Sequence, residues 1–260
     1  MSLIIPEDYT EFLYWIKERT ESIWNQNVNN WTYGAKWIGM TDDDIIKTEQ
    51  KYNVKFTDNH KLFLKILHTI DKSDINTQHS ENGEISNSEI TLFYNWNKDF
   101  EEIENYINWP YKYILQDVLS DKIWLKSWGI KPKENIEKEN LFNNWFNKAP
   151  NLTPINSHRF IISEPANSDN PILSIMGWDT IIYGATMRNY LLNELQDHLE
   201  LTEYIEDNDG EWDYENINEF KVIRDCELKT LQTMEIPYWR EFLISNGFND
   251  YLEYNHKNSN

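Results

Sequence analysis

Residues Trp37 to Leu67, WIGMTDDDIIKTEQKYNVKFTDNHKLFLKIL, read as a capped helix, an extended link and a second helix. Thr41 supplies an N-cap with Asp44 three residues on, a capping-box pattern. Asp42 to Asp44 place negative charge at the positive end of the helix dipole. The spacing predicts a helix over Asp42 to Lys51. Asn53 is suited to a left-handed C-terminal turn, Val54 to Phe56 is extended, and Leu62, Phe63, Ile66 and Leu67 give Asp58 to Leu67 a helical apolar face.

A second stretch, Pro150 to Tyr190, PNLTPINSHRFIISEPANSDNPILSIMGWDTIIYGATMRNY, has a different grain. Four short extended pieces, Pro154-Ile155, His158 to Ile162, Ile172 to Met176 and Thr180 to Tyr183, are punctuated by Pro, Gly and Asn, which predicts a meandering antiparallel sheet. Neither stretch contains an active-site motif.

Outward from these two, Tyr9 to Trp24 carries an amphipathic helical pattern, and Asp71 to Glu89 is polar enough to be an exposed insertion. Ile90 to Tyr94 and Ile123 to Trp128 read as strands. Phe100 to Trp109, Tyr113 to Leu119, Leu141 to Phe146, Met187 to Leu201 and Pro237 to Leu243 read as helices, the last stopped by Gly247. Helices, then sheet, then helices make the class α+β rather than alternating α/β. The expectation is a single domain over residues 1–260. Its central, mostly antiparallel sheet comes from the Ile90 to Tyr183 region, flanked by the helices at Asp42, Asp58 and Met187. The core covers about 37–192, and residues 1–36 and 193–260 are helical additions.

Composition narrows the function classes. Of 260 residues, 12 are Trp, 15 Tyr and 11 Phe, so rings supply much of the core area, each removing roughly 150–250 Å² from water. A single cysteine, Cys226, excludes an intramolecular disulfide and an all-cysteine zinc site, and fits a reducing compartment. The acidic opening Met1 to Phe12 is unlike a signal peptide, and no run reaches the roughly 20 apolar residues of a membrane span. The expectation is a soluble, cytoplasmic protein. The formal charge of −20, from 44 acidic and 24 basic residues, disfavours nucleic acid and anionic membranes and favours basic partners.

The pattern Gly39, Thr41, Asp44, Ile45, Glu49, Tyr52, Val54, Phe56, Phe63 and Leu64, followed by His158-Arg159-Phe160, Asn170 to Ser174 and Asp179 to Gly184, resembles the SMI1/KNR4 family of the SUKH superfamily. Asn53, Thr57 and His60 stand where that family usually has Gly, Pro and Tyr. The resemblance covers roughly Trp37 to Leu192 and rests on structural residues. It implies a SUKH-like fold and a non-catalytic binding protein. In bacteria such proteins act as immunity proteins in toxin–antitoxin pairs; in fungi they are regulators of cell wall and signalling.

Candidate sites follow from charge and chemistry. Asn189 to Phe220 has no Lys or Arg and eleven carboxylates. Within it Glu203, Glu206, Asp207, Asp209, Glu211, Asp213 and Glu215 surround Trp212 and Tyr214, acid to steer a basic partner and rings to anchor it. The plain alternative is a solvated helix followed by an acidic loop that aids solubility. A second candidate surface is His158, Arg159, Trp178 and Asp179. His158-Arg159 is the most enzyme-like pair in the chain, but no nucleophile, phosphate loop or paired histidine helix completes a site. Its structural reading has the imidazole bonded to backbone and Arg159 paired to a carboxylate. Asp207 to Gly210 fails as a calcium loop, because Ile205 and Asn216 fall where Asp and Glu are needed. The six histidines are scattered. No catalytic, cofactor or metal residues are expected. The resemblance and the charge together suggest a basic toxin domain as partner, a nuclease in particular. The competing classes are a regulatory scaffold and a small-ligand or carbohydrate binder using surface tryptophans.

Overall fold

A computed structural model describes residues 3–79, 85–165, 169–206, 212–234, 236, 238–245 and 247–248, with the backbone alone at 76–79, 85–88, 90, 212 and 213. Its elements run α1 (Tyr9–Trp24), β1 (Trp37–Ile38), α2 (Asp42–Tyr52), α3 (Asp58–Leu67), β2 (Thr69–Ile70), β3 (Asp74–His79), β4 (Ile85–Ile90), α4 (Phe100–Leu119) and α5 (Asn135–Phe146). There follow β5 (Leu152–Asn156), β6 (Arg159–Ile162), β7 (Ile172–Met176), β8 (Asp179–Gly184), α6 (Met187–Glu194), β9 (Thr202–Glu206), β10 (Trp212–Asn216), α7 (Asn218–Thr233) and α8 (Trp239–Ser245). The chain is α+β.

The opening stretch folds as its local chemistry dictates. Thr41 accepts from the Asp44 amide at 3.2 Å while the Asp44 carboxylate accepts from the Thr41 amide at 3.3 Å, closing the capping box. Asn53 ends α2 at φ 51°, ψ 42°, the left-handed conformation that Asn tolerates. Gly39 lies against the end of α3, where a Cβ would fall 1.9 Å from the Lys65 carbonyl oxygen. That approach lets the Met40 amide donate to the Leu64 carbonyl at 2.8 Å and lets β1 pair antiparallel with β2.

The main sheet is a four-stranded antiparallel meander in the order β5-β6-β7-β8. Each of its faces carries a core. On one side Ile155, Ile161 and Ile172 join residues of α1, α3 and α6, among them Phe12, Phe63, Leu64 and Tyr190. On the other, Phe160, Ile162, Leu173 and Ile175 join Ile114 of α4, Phe142 of α5, Leu231 of α7 and Trp239 and Phe242 of α8. The alternation of Phe160, Ile161 and Ile162 between the two cores shows why β6 is apolar at consecutive positions: it is covered on both faces.

Several expectations are corrected. Phe100 to Leu119 is one helix that passes through Pro110, which caps no end and loses one backbone bond. Ile123 to Trp128 is not a strand; its last three residues, Lys126–Trp128, form a 3-10 turn packed on α5 through Trp128 and Phe142. Extended structure ends at Ile90 rather than running to Tyr94, and Asp71 to Glu89 contributes the paired strands β3 and β4. The helix at Met187 stops at Glu194, not Leu201.

Candidate functional sites

The acidic segment begins in α6 and ends in α7, and between them it is a strand pair rather than a plain loop where it is described. β9 and β10 pair antiparallel, with Glu203 opposite Glu215 and Tyr204 opposite Tyr214. The amide of Ile217 closes the base of the ribbon on the Leu201 carbonyl at 2.9 Å. The Tyr204 and Tyr214 rings lie 4.0 Å apart, both 58% exposed, and their hydrogen bond holds the Tyr214 phenol above its ordinary value. Like charges directly opposite each other destabilise a strand pair, and a lone two-stranded ribbon is marginal. Lys221 offsets the cost on one side by pairing with Glu215. Glu206 is exposed at the far end of β9, opposite Trp212. Asp207, Asp209 and Glu211 lie outside the described residues, and Trp212 and Asp213 are described by backbone alone.

The second candidate surface is divided by the fold. Arg159 turns inward: one guanidinium nitrogen donates to Ser174 Oγ at 2.6 Å, the guanidinium carbon sits 3.8 Å from the Tyr183 ring centre, and Nε has no protein partner. Nearby Glu194 is shifted up by burial, with Arg159 opposing the shift, and accepts from Asn156 at 3.3 Å. His158 stays at the sheet end, where its carbonyl accepts from the Ile175 amide at 2.9 Å. Trp178 is exposed in the β7–β8 turn and Asp179 is exposed as the first residue of β8. That turn is clamped to α4: the Asp117 carboxylate accepts from the Trp178 amide at 2.8 Å and pairs with Lys122, and a Cβ on Gly177 (φ 64°) would fall 2.1 Å from it.

Ser157, which sequence reasoning passed over, hydrogen-bonds His158 Nδ1 through its hydroxyl at 3.1 Å. Tyr94 donates to the Ser157 carbonyl at 2.9 Å, and the Tyr106 hydroxyl is 3.4 Å from Ser157 Oγ. Burial, then Arg159, lower the His158 pKa. A hydroxyl beside an imidazole is the start of a nucleophilic pair, but among the described residues no carboxylate orients His158. Nor, among the described residues, do three or more His, Cys, Asp or Glu side chains stand where they could hold a metal ion.

Tryptophans offer little open surface. Of those whose side chains are described, Trp178 alone is exposed, and Trp128, Trp145 and Trp239 stack into the core beside α5 and α8.

A third place was not foreseen. A cavity of about 480 Å³ opens beside β8, walled by Ile182, Leu231, Leu243 and Phe248, with Arg224 and Gln196 among its polar lining. Two side chains in its wall cap the strand: Glu227 accepts from the Ala185 amide at 2.7 Å, and Asn193 donates to the Tyr183 carbonyl at 3.0 Å. Burial raises the Glu227 pKa. The sequence signal was available, because Glu227 falls seven residues after Phe220 and four before Leu231, on the buried stripe of α7. No family model, curated protein or solved structure matches the chain.

Proposed function

We propose that the chain is a non-catalytic binding protein of the SMI1/KNR4 type, acting in the cytoplasm as an immunity protein that blocks a basic toxin domain, most naturally a nuclease. The observation that carries this reading is the ribbon β9–β10. It holds Glu203 against Glu215 and leaves Tyr204 and Tyr214 half in solvent, an arrangement that costs the free protein stability and that a cationic, groove-bearing partner would relieve. The excess charge of −20 adds long-range attraction. The chemistry beside His158 supports catalysis less well, since the imidazole has a hydroxyl neighbour and no acid behind it among the described residues.

The test is association of the full chain with a cognate basic nuclease domain as salt rises. The Debye length shrinks from about 10 Å at 0.1 M to about 3 Å at 1 M, so association should slow steeply while dissociation changes less. Reversing Glu203, Glu206 and Glu215 to Lys should remove most of that dependence and leave the thermal transition in place. Unchanged binding and unchanged salt dependence in the triple variant would reduce the ribbon to a solubility feature.

A further inference from the structure

The outer edge of β8 carries hydrogen-bonding groups that no partner among the described residues uses. The Ile175 amide donates to the His158 carbonyl, so Leu173 and Ile175 face β6 and the alternate residues of β7 face β8. The register then makes Ser174–Ile181 and Met176–Asp179 the bonded pairs, with a bulge after Leu173 that leaves Tyr183 as the extra residue. Thr180 and Ile182 must therefore point their amides and carbonyls away from β7. Beyond them the Tyr183 carbonyl and the Ala185 amide, which would meet the same neighbour, are already satisfied by Asn193 and Glu227.

The open groups are not at a solvent-washed edge. Thr180 is 0% exposed and Ile182 half-buried, and both line the 480 Å³ cavity. Buried backbone donors and acceptors are nearly always paired, because an unpaired one costs about 1–3 kcal/mol. A strand lying about 4.8 Å from β8 would pair all four groups. Its side chains would alternate between the apolar wall of Leu231, Leu243 and Phe248 and the opposite face. Exposed Asp179 precedes Thr180 at the start of β8, on the face turned away from that wall.

We propose that β8 accepts an extended, lysine- or arginine-bearing segment of a partner protein as a fifth strand. An apolar side chain fills the cavity, and a basic one meets Asp179. Charge selects the occupant: Arg224 already faces Glu227, which leaves the Asp179 end and the net charge of −20 to attract a cation. This surface rests on the geometry of β8 and not on the ribbon β9–β10, so either reading can fail alone.

The test uses the full chain and an end-blocked hexapeptide alternating lysine with valine and leucine, followed by amide hydrogen exchange at Thr180 and Ile182. Saturating peptide should slow both amides at least tenfold. A version N-methylated at alternate backbone nitrogens should not, and a glutamate-for-lysine version should bind at least tenfold more weakly. Ile182→Pro removes an edge donor without touching the β7 ladder and should abolish binding; the exposed Asp179→Lys should weaken the lysine peptide and spare the fold. Exchange unmoved by the lysine peptide, or equal binding of the lysine and glutamate peptides, would overturn the proposal. So would faster exchange at Thr180 and Ile182 in a chain ending at Phe248 without peptide, since the chain's own last residues would then be the occupant.

Discussion

At the residue scale, the buried polar groups of the first core carry the sharpest consequence. His60 is 0% exposed with no protein partner on either ring nitrogen, lodged between Phe56 and Phe63; His68 accepts from the Trp96 amide at 2.9 Å and leaves Nδ1 unpaired. Burial lowers both, His60 to about 3 and His68 to about 4, from an ordinary 6.5. The folded state therefore refuses protons that the unfolded chain takes up below pH 6.5. Stability is complete above that pH and drains away as pH falls toward 4, by roughly 3 kcal/mol per histidine at pH 4. Urea midpoints at pH 7 and pH 4.5 should differ more for the parent chain than for His60→Phe, which removes one of the two proton sinks. Equal pH sensitivity in the two proteins would mean that His60 is solvated. None of this was legible beforehand: Phe56 and Phe63 are near His60 in the chain, but Phe56 is itself packed edge-on against Trp96, a contact between distant segments that periodicity does not reveal.

At the element scale, what could be read in advance was what chain neighbours decide. Thr41 and Asp44 make the cap they spell, Asn53 takes the left-handed turn, and α1 and α3 run over Tyr9–Trp24 and Asp58–Leu67, where their periodicity put them. Tertiary contact decided the rest. Ile123, Trp124 and Leu125 suggest a strand, yet Ile123 and Leu125 are drawn into the second core and the chain turns after them. Pro110 suggests a break, yet α4 spans it because Ile103, Ile114 and Val118 are buried on either side. The ribbon was hidden because its only alternation is the short run Trp212 to Glu215, set among carboxylates that read as a solvated loop. Glu203→Lys should replace a like-charge pair by an opposite one, stabilising the ribbon by roughly 0.2–1 kcal/mol. Backbone amides of β9 and β10 should then exchange more slowly. Affinity for a basic partner should fall in the same variant, so stability and binding move in opposite directions. A variant that gains or loses both would break that link.

At the scale of the whole molecule, the meander β5-β6-β7-β8 is the shared wall of both cores, with Tyr106 of α4 packed against each. Damage on either side should therefore reach the other. Leu64→Ala and Leu243→Ala empty sites that are 1% and 0% exposed in opposite cores, and each should cost roughly 2–5 kcal/mol. Each variant should also shift one common thermal transition, followed by heat capacity and by circular dichroism. Two separated transitions, one moved by each substitution, would show that the sheet does not couple its faces.

The indoles of the second core give the protein an optical signature. Trp124, Trp128, Trp145 and Trp239 follow one another with ring centres 5.1, 5.6 and 5.4 Å apart and planes steeply inclined. At such separations their excited states mix, and the near-ultraviolet dichroism should carry a split band whose amplitude depends on α8 staying docked against α5. The chain thus holds its own spectroscopic gauge of whether α8 is seated.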